Sequence, residues 1–162
     1  MGAEVEIQGI DKLMEELDRL AVGIVKGAKN YTEKEIPERY ARILSMYYAD
    51  YEPNSYVRTG QLYSRSFMPY SYSSDKGLRA FAGILLTPQD MSYKTRYPSE
   101  QVIEDYLEGW HGGYQAGIPA SFNPRGLVQS CVRSVVDEIC HGNVGEGIIA
   151  TAKSKAKLQM LK

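Results

Sequence analysis

Tyr56-Val57-Arg58-Thr59-Gly60-Gln61-Leu62-Tyr63-Ser64-Arg65-Ser66-Phe67 stands between a run with a helical period and a run that alternates. Upstream, Ile36, Tyr40, Ile43, Leu44, Tyr47 and Tyr51 fall on one helical stripe. Pro53 closes that run, because the residue before a proline avoids the α region. Downstream, residues 67–72 and 78–87 read as strands around a turn-rich 73–77, a β-hairpin whose loop is longer than two residues. The quoted stretch is therefore the corner where the chain passes from helix to sheet. Thr59 is expected to cap the next turn with its hydroxyl, and Gly60 to permit close backbone approach. Residues 60–66 form a short helical turn or lead straight into the strand. Arg58 carries several donors in a fixed fork, suited to a carboxylate, to helix C-terminal carbonyls or to an anionic ligand. As the anchor of the corner it is worth about 1–3 kcal/mol of charged hydrogen bonding, which Arg58→Ala would remove.

Outward from the corner, residues 3–8 (AEVEIQ) alternate like a short edge strand. Ile10, Leu13, Met14, Leu17, Leu20, Ala21, Ile24 and Val25 then mark an amphipathic helix with a narrow core face. A second helix follows, with Thr32 and Glu35 at capping-box spacing and Pro37 either kinking it or marking its first turn. Residues 88–100 lack a period and hold two prolines, which reads as an exposed loop. Residues 102–108 are a short apolar strand or helical turn leading into Gly109-Trp110-His111-Gly112-Gly113, and 116–125 are irregular. Asn123 is placed to cap a helix opened by Pro124, with Val128, Cys131, Val132, Val135, Val136 and Ile139 as its buried face and Gly142 as its stop. A terminal helix over 145–160 completes the chain. The segregation of helices and strands predicts one domain over 1–162 of α+β class: helices packed on a small antiparallel sheet, with C-terminal helices.

Composition narrows the function. The 162 residues carry a formal net charge of −1, without the basic surplus that a duplex-binding surface uses to neutralise phosphates. No apolar run reaches the length of a membrane span, and MGAEVEIQG lacks the basic start and apolar stretch of a signal peptide, which predicts a cytoplasmic product. The charge is uneven. Glu4, Glu6, Asp11, Glu15, Glu16 and Asp18 crowd the start, and Lys153, Lys155, Lys157 and Lys162 the end. Such ends are suited to meet within a subunit or between neighbours. Thirteen tyrosines, against three phenylalanines and one tryptophan, supply contact area with a polar tip, as at surfaces buried on association.

Candidates for chemistry are few. His111, in a glycine-rich stretch, would need Cys131 or a serine within reach to act in a hydrolase. Cys131 and Cys140, nine positions apart on one helix, face different sides and do not bridge. With His111 and His141 they lack the close ligand pairs of a zinc site. Glu104, Asp105 and Glu108 could serve acid–base work, but read more simply as a solvated face. Gly109 to Gly113 lack the lysine of a phosphate loop. No catalytic residue, cofactor or metal is expected.

The ordered set VEIQGIDKLMEELDRL, VRTGQLYSRSF, YLEGWHGG and IPASFNPRGLVQSCV resembles the tail-completion or neck family of long-tailed bacteriophages and prophages. Arg58, Thr59, Gly60, Leu62 and Ser66 match that family's central motif. Tyr106, Glu108 and Gly109 match a later aromatic-x-Glu-x-Gly motif loosely, the glycine standing one position early, and Ser121, Phe122 and Pro124 stand where its Arg-Pro-Phe segment falls, with the arginine and first proline altered. Loop 88–100 looks like an insertion. The resemblance implies a non-enzymatic virion part: a ring, hexameric or twelve-fold, between the capsid connector and the tail. Its partners would be copies of itself, head connector or adaptor proteins and tail terminator or tail-tube proteins, with DNA passing through the lumen without specific binding. It would act in the virion neck, after assembly in the host cytoplasm. The competing readings are a small Cys/His hydrolase using His111 and a nucleic-acid-binding accessory protein using the basic C-terminus.

Overall fold

The computed structural model describes residues 10–49, 60–92, 98–108 and 123–160. Their order is α1 (Ile10–Ala49), α2 (Gln61–Arg65), β1 (Phe67–Ser74), β2 (Arg79–Leu86), α3 (Ser99–Leu107), α4 (Pro124–His141) and α5 (Asn143–Met160). The fold is α+β, mostly helical around one small antiparallel sheet, with two helices at the C-terminal end. The expected strand over 3–8 lies outside the described residues.

The two helices expected between residues 10 and 51 are one. α1 runs 40 residues, about 60 Å at ~1.5 Å per residue, with Pro37 inside it. Thr32 is not a cap: its hydroxyl donates to the Ala28 carbonyl one turn back, at 2.9 Å, in mid-helix. Pro37 removes one backbone donor and crowds the preceding turn, a cost large enough to break an isolated helix. Contacts on both sides of it oppose that break. Glu35 and Arg39 pair across the proline at 3.1 Å, while Ile36 just before it and Tyr40, Ile43, Leu44 and Tyr47 beyond it are buried. Capping spacing and proline are local signals, and tertiary packing overrides them.

β1 and β2 pair antiparallel in register from Phe67↔Leu86 to Ser74↔Arg79. A tight turn over Asp75–Gly77 joins them, with positive φ at all three residues. Gly77, at φ 92, brings the tip so close to α1 that an added Cβ would stand 3.1 Å from Val22 Cγ1. Asp75 and Arg79 clasp the turn at 2.9 Å. One face of the hairpin packs on α1 through Phe67 and Ile84, which border the core.

That core gathers Tyr40, Ile43, Leu44 and Tyr47 from α1, Leu62 from α2, Met91, and Ile103 and Tyr106 from α3. Its rings meet edge to face: Tyr40 with Phe67 at 4.7 Å and Tyr47 with Tyr106 at 5.0 Å. Residues 102–108 are thus largely helix, not strand. The described part of 88–100 is not a plain exposed loop, because Met91 within it is buried and α3 has begun by Ser99.

α4 starts as its sequence requires. Asn123 Oδ1 accepts from Gly126 N at 2.8 Å, and Pro124 stands buried in the first turn. Its expected core face is too wide: Val135 is buried, but Val132 and Val136 are 41% and 50% exposed. α5 packs on α1, where Gly27 lets the two helices approach; a Cβ there would stand 2.6 Å from Ile148 Cγ2.

Candidate assembly site

The resemblance motif builds the support beneath an exposed surface. Gly60 adopts a left-handed φ of 68 and opens α2, its carbonyl accepting from Tyr63 N and Ser64 N at 3.1 and 3.0 Å. The helical-turn alternative for residues 60–66 is the one formed. Gln61 Nε2 donates to the Ser92 carbonyl at 3.0 Å, and Ser92 N donates to Gln61 Oε1 at 2.6 Å, tying the corner to the segment after the hairpin. Leu62 enters the core. Ser66 is fully buried and donates its hydroxyl to the Leu62 carbonyl. Thr87 closes the other side: its N–H donates to the Ser66 carbonyl and its hydroxyl to the Arg65 carbonyl, both at 2.8 Å. The strands thus leave the corner in a fixed direction. Arg58 and Thr59, expected to lock and cap this corner, lie outside the described residues, as do Gly109, His111 and Phe122.

Tyr106 packs its ring at the centre of the core, while Glu108 ends α3 exposed, its N–H donating to the Glu104 carbonyl at 2.9 Å. The structure therefore brings Leu62 and Tyr106 together, places Pro124 at the start of α4, and leaves Glu108 on the surface. Tyr40 and Tyr106 are 1% and 0% exposed, and their hydroxyls have no hydrogen-bond partner among the described residues. Ser66 lies beside the Tyr40 hydroxyl, but its proton is committed to Leu62 and the two hydroxyls do not reach hydrogen-bond geometry. Burial pushes Tyr40 up to about 12 and Tyr106 further up, so both are neutral.

A polar cluster without a sequence signal joins α1 to α4. Arg39 donates to both carboxylate oxygens of Glu138, at 3.0 and 2.7 Å, to Ser134 Oγ at 3.1 Å and to Glu35 at 3.1 and 3.2 Å. Tyr31 O–H and Ser134 O–H also donate to Glu138. Tyr31, Glu35 and Arg39 stand one helical turn apart, and only the packing of α4 reveals what they share. The Arg39 guanidinium first, then the Tyr31 and Ser134 hydroxyls, hold the Glu138 carboxyl down to about 2. Arg39 is raised in turn, chiefly by its bond to Glu138, and Tyr31 is raised by donating to the same anion.

Among the described residues, those weighed for catalysis are engaged elsewhere or poorly suited to it. Glu104 pairs with Arg125 at 2.9 Å, and Asp105 accepts from Gln101 Nε2 at 2.7 Å. Cys131 and Cys140 are free thiols, and burial pushes Cys131 up, away from the thiolate a nucleophile needs. Among the described residues no group of three His, Cys, Asp or Glu is placed to hold a metal, and no helix is long and apolar enough to cross a membrane.

The surface that remains is apolar and open. The outer hairpin face presents Met68, Tyr70 and Tyr72 beside Phe81 and Leu85, all exposed, with Tyr72 and Phe81 stacked at 4.6 Å. The sheet has only these two strands among the described residues, so neither strand has a second hydrogen-bonded neighbour there. On a separate element, Ile10, Leu13, Met14 and Leu17 line one side of the first turns of α1. Far from being a core face, they are exposed, Leu13, Met14 and Leu17 by 55%, 59% and 56%. Comparison with family models, curated proteins and solved structures returned no match.

Proposed function

We propose that the chain is a structural subunit of a tailed phage or prophage, forming a ring at the head–tail junction that joins the capsid connector to the tail. The observation that carries this reading is the pair of unlike apolar surfaces, the outer hairpin face and the first turns of α1, on separate elements. Different exposed patches on separate elements suit heterologous contacts, in which each patch meets an unlike face of a neighbour and the series closes into a ring. The ordered motifs of the sequence support the same reading, since their described members build the corner that aims the hairpin. Burial pushes the Cys131 thiol up, which disfavours the nucleophile that the hydrolase alternative needs.

Electron microscopy of particles made with and without the gene tests the proposal. The expected result is collar density that disappears with the gene, leaving heads and tails unjoined. Joined, infective particles formed without it would overturn the reading.

A further inference from the structure

An open groove of about 890 Å³ runs between the middle of α1, α5 and the hairpin tip. Val22, Ile148 and Ala152 supply apolar lining, and Lys26, Lys76 and Lys155 stand on its rim. These three lysines are exposed and form no ion pair among the described residues. Arg19 also lines the groove but is engaged with Glu15 at 3.3 Å, and Asp18 is the acid among the lining residues. Such a groove suits an occupant that is apolar along its centre and acidic along its flanks.

The chain carries such a segment. The exposed stripe Ile10, Leu13, Met14 and Leu17 is flanked by Asp11 and Asp18 on one side and Glu16 on the other. Within residues 10–19 four acids face two bases, Lys12 and Arg19. At ~100° per residue the stripe and the groove-lining positions Gly23 and Lys26 project from opposite sides of α1. Because α1 is one unbroken helix, its first turns cannot fold back into the groove that its middle turns line. These turns can therefore fill only the groove of another copy.

We infer that the apolar, acid-flanked first turns of α1 dock into the lysine-rimmed groove of a second copy. The inference rests on the assembly reading above and names the partner for one of its surfaces. The contact is heterologous, since the donor surface and the acceptor surface differ and each copy offers both. Apolar burial supplies the affinity, and the lysines set register and make the contact sensitive to salt.

Sedimentation velocity of the full chain, from about 10 μM to about 1 mM, tests this, a range in which even a weak contact is populated. The wild type is expected to self-associate, less so in high salt. Leu13→Ser with Leu17→Ser alters exposed positions only, so the melting curve stays unchanged while association weakens about tenfold or more. Lys26→Glu with Lys155→Glu, and separately Asp11→Lys with Glu16→Lys, weaken it likewise. The chain carrying all four charge reversals regains most of the loss. A wild type that stays monomeric throughout, or charge variants that associate as well as it does, would overturn the inference. So would lysine reversals that abolish binding to a DNA duplex while leaving association intact, since the groove would then serve nucleic acid. Particles that carry the chain at the collar although the reversals change nothing would sink this contact alone. A working charge swap in a chain absent from particles would sink the head–tail reading alone.

Discussion

The cluster around Glu138 shows how single residues act here. A carboxyl held at about 2 when folded, against its ordinary 4.5, binds fewer protons in the native state than in the unfolded one. Its contribution is therefore complete above pH 4.5, declines as pH falls toward 2, and is absent below. Unfolding by urea is expected to place Glu138→Gln well below the wild type at pH 7, with the gap closing as pH approaches 2. A gap that stays constant with pH would show that Glu138 acts by packing alone. Tyr106 makes the opposite case. Its ring fills the core, but its buried hydroxyl has no partner among the described residues and its desolvation goes uncompensated. Tyr106→Phe is expected to leave the melting temperature unchanged or raise it, whereas Tyr106→Ala costs about 3–5 kcal/mol through the cavity it leaves. A marked loss in Tyr106→Phe would reveal a bound water or other partner at that hydroxyl.

At the scale of elements, two helix glycines separate packing from propensity. Gly27 is where α1 meets α5, and a methyl group there collides with the branch of Ile148. Gly27→Ala gains about 1 kcal/mol of helix propensity and loses about 1–3 kcal/mol to overpacking, for a net loss. Gly147, on α5, has open space where its Cβ would stand, so Gly147→Ala gains about 0.5–1 kcal/mol. Thermal unfolding of the two variants checks both signs, and a stabilised Gly27→Ala would mean that α1 and α5 can separate without cost. Other elements were legible in the sequence. Asn123 and Pro124 announced the start of α4, and the alternation of residues 67–72 and 78–87 announced the hairpin, because caps and strand pairing are local and stereochemical. Thr32, Glu35 and Pro37 announced a helix boundary that does not exist. Their local preference is outweighed by a core stripe and by the bridge from Arg39 to Glu138, on a helix nearly one hundred residues away.

For the whole molecule, the outer hairpin face is expected to matter in assembly and not in folding. Tyr72→Ser with Leu85→Ser replaces exposed side chains, so the melting curve changes little while incorporation into particles falls. Unchanged incorporation would remove this face from the proposed ring contacts. The sequence by itself determined the α+β class, the helix-to-sheet corner at Gly60 to Phe67, the hairpin and the cap of α4. Each of these follows from periodicity or from the stereochemistry of a few neighbouring residues. Only the tertiary structure decided that α1 is continuous, that Arg39 and Glu138 tie it to α4, and which apolar stripes stay in water. Ile10, Leu13, Met14 and Leu17 repeat with the same spacing as Tyr40, Ile43, Leu44 and Tyr47, yet one set is exposed and the other is core. Helical periodicity reports that a helix has an apolar side. Whether that side is covered depends on where the rest of the chain packs.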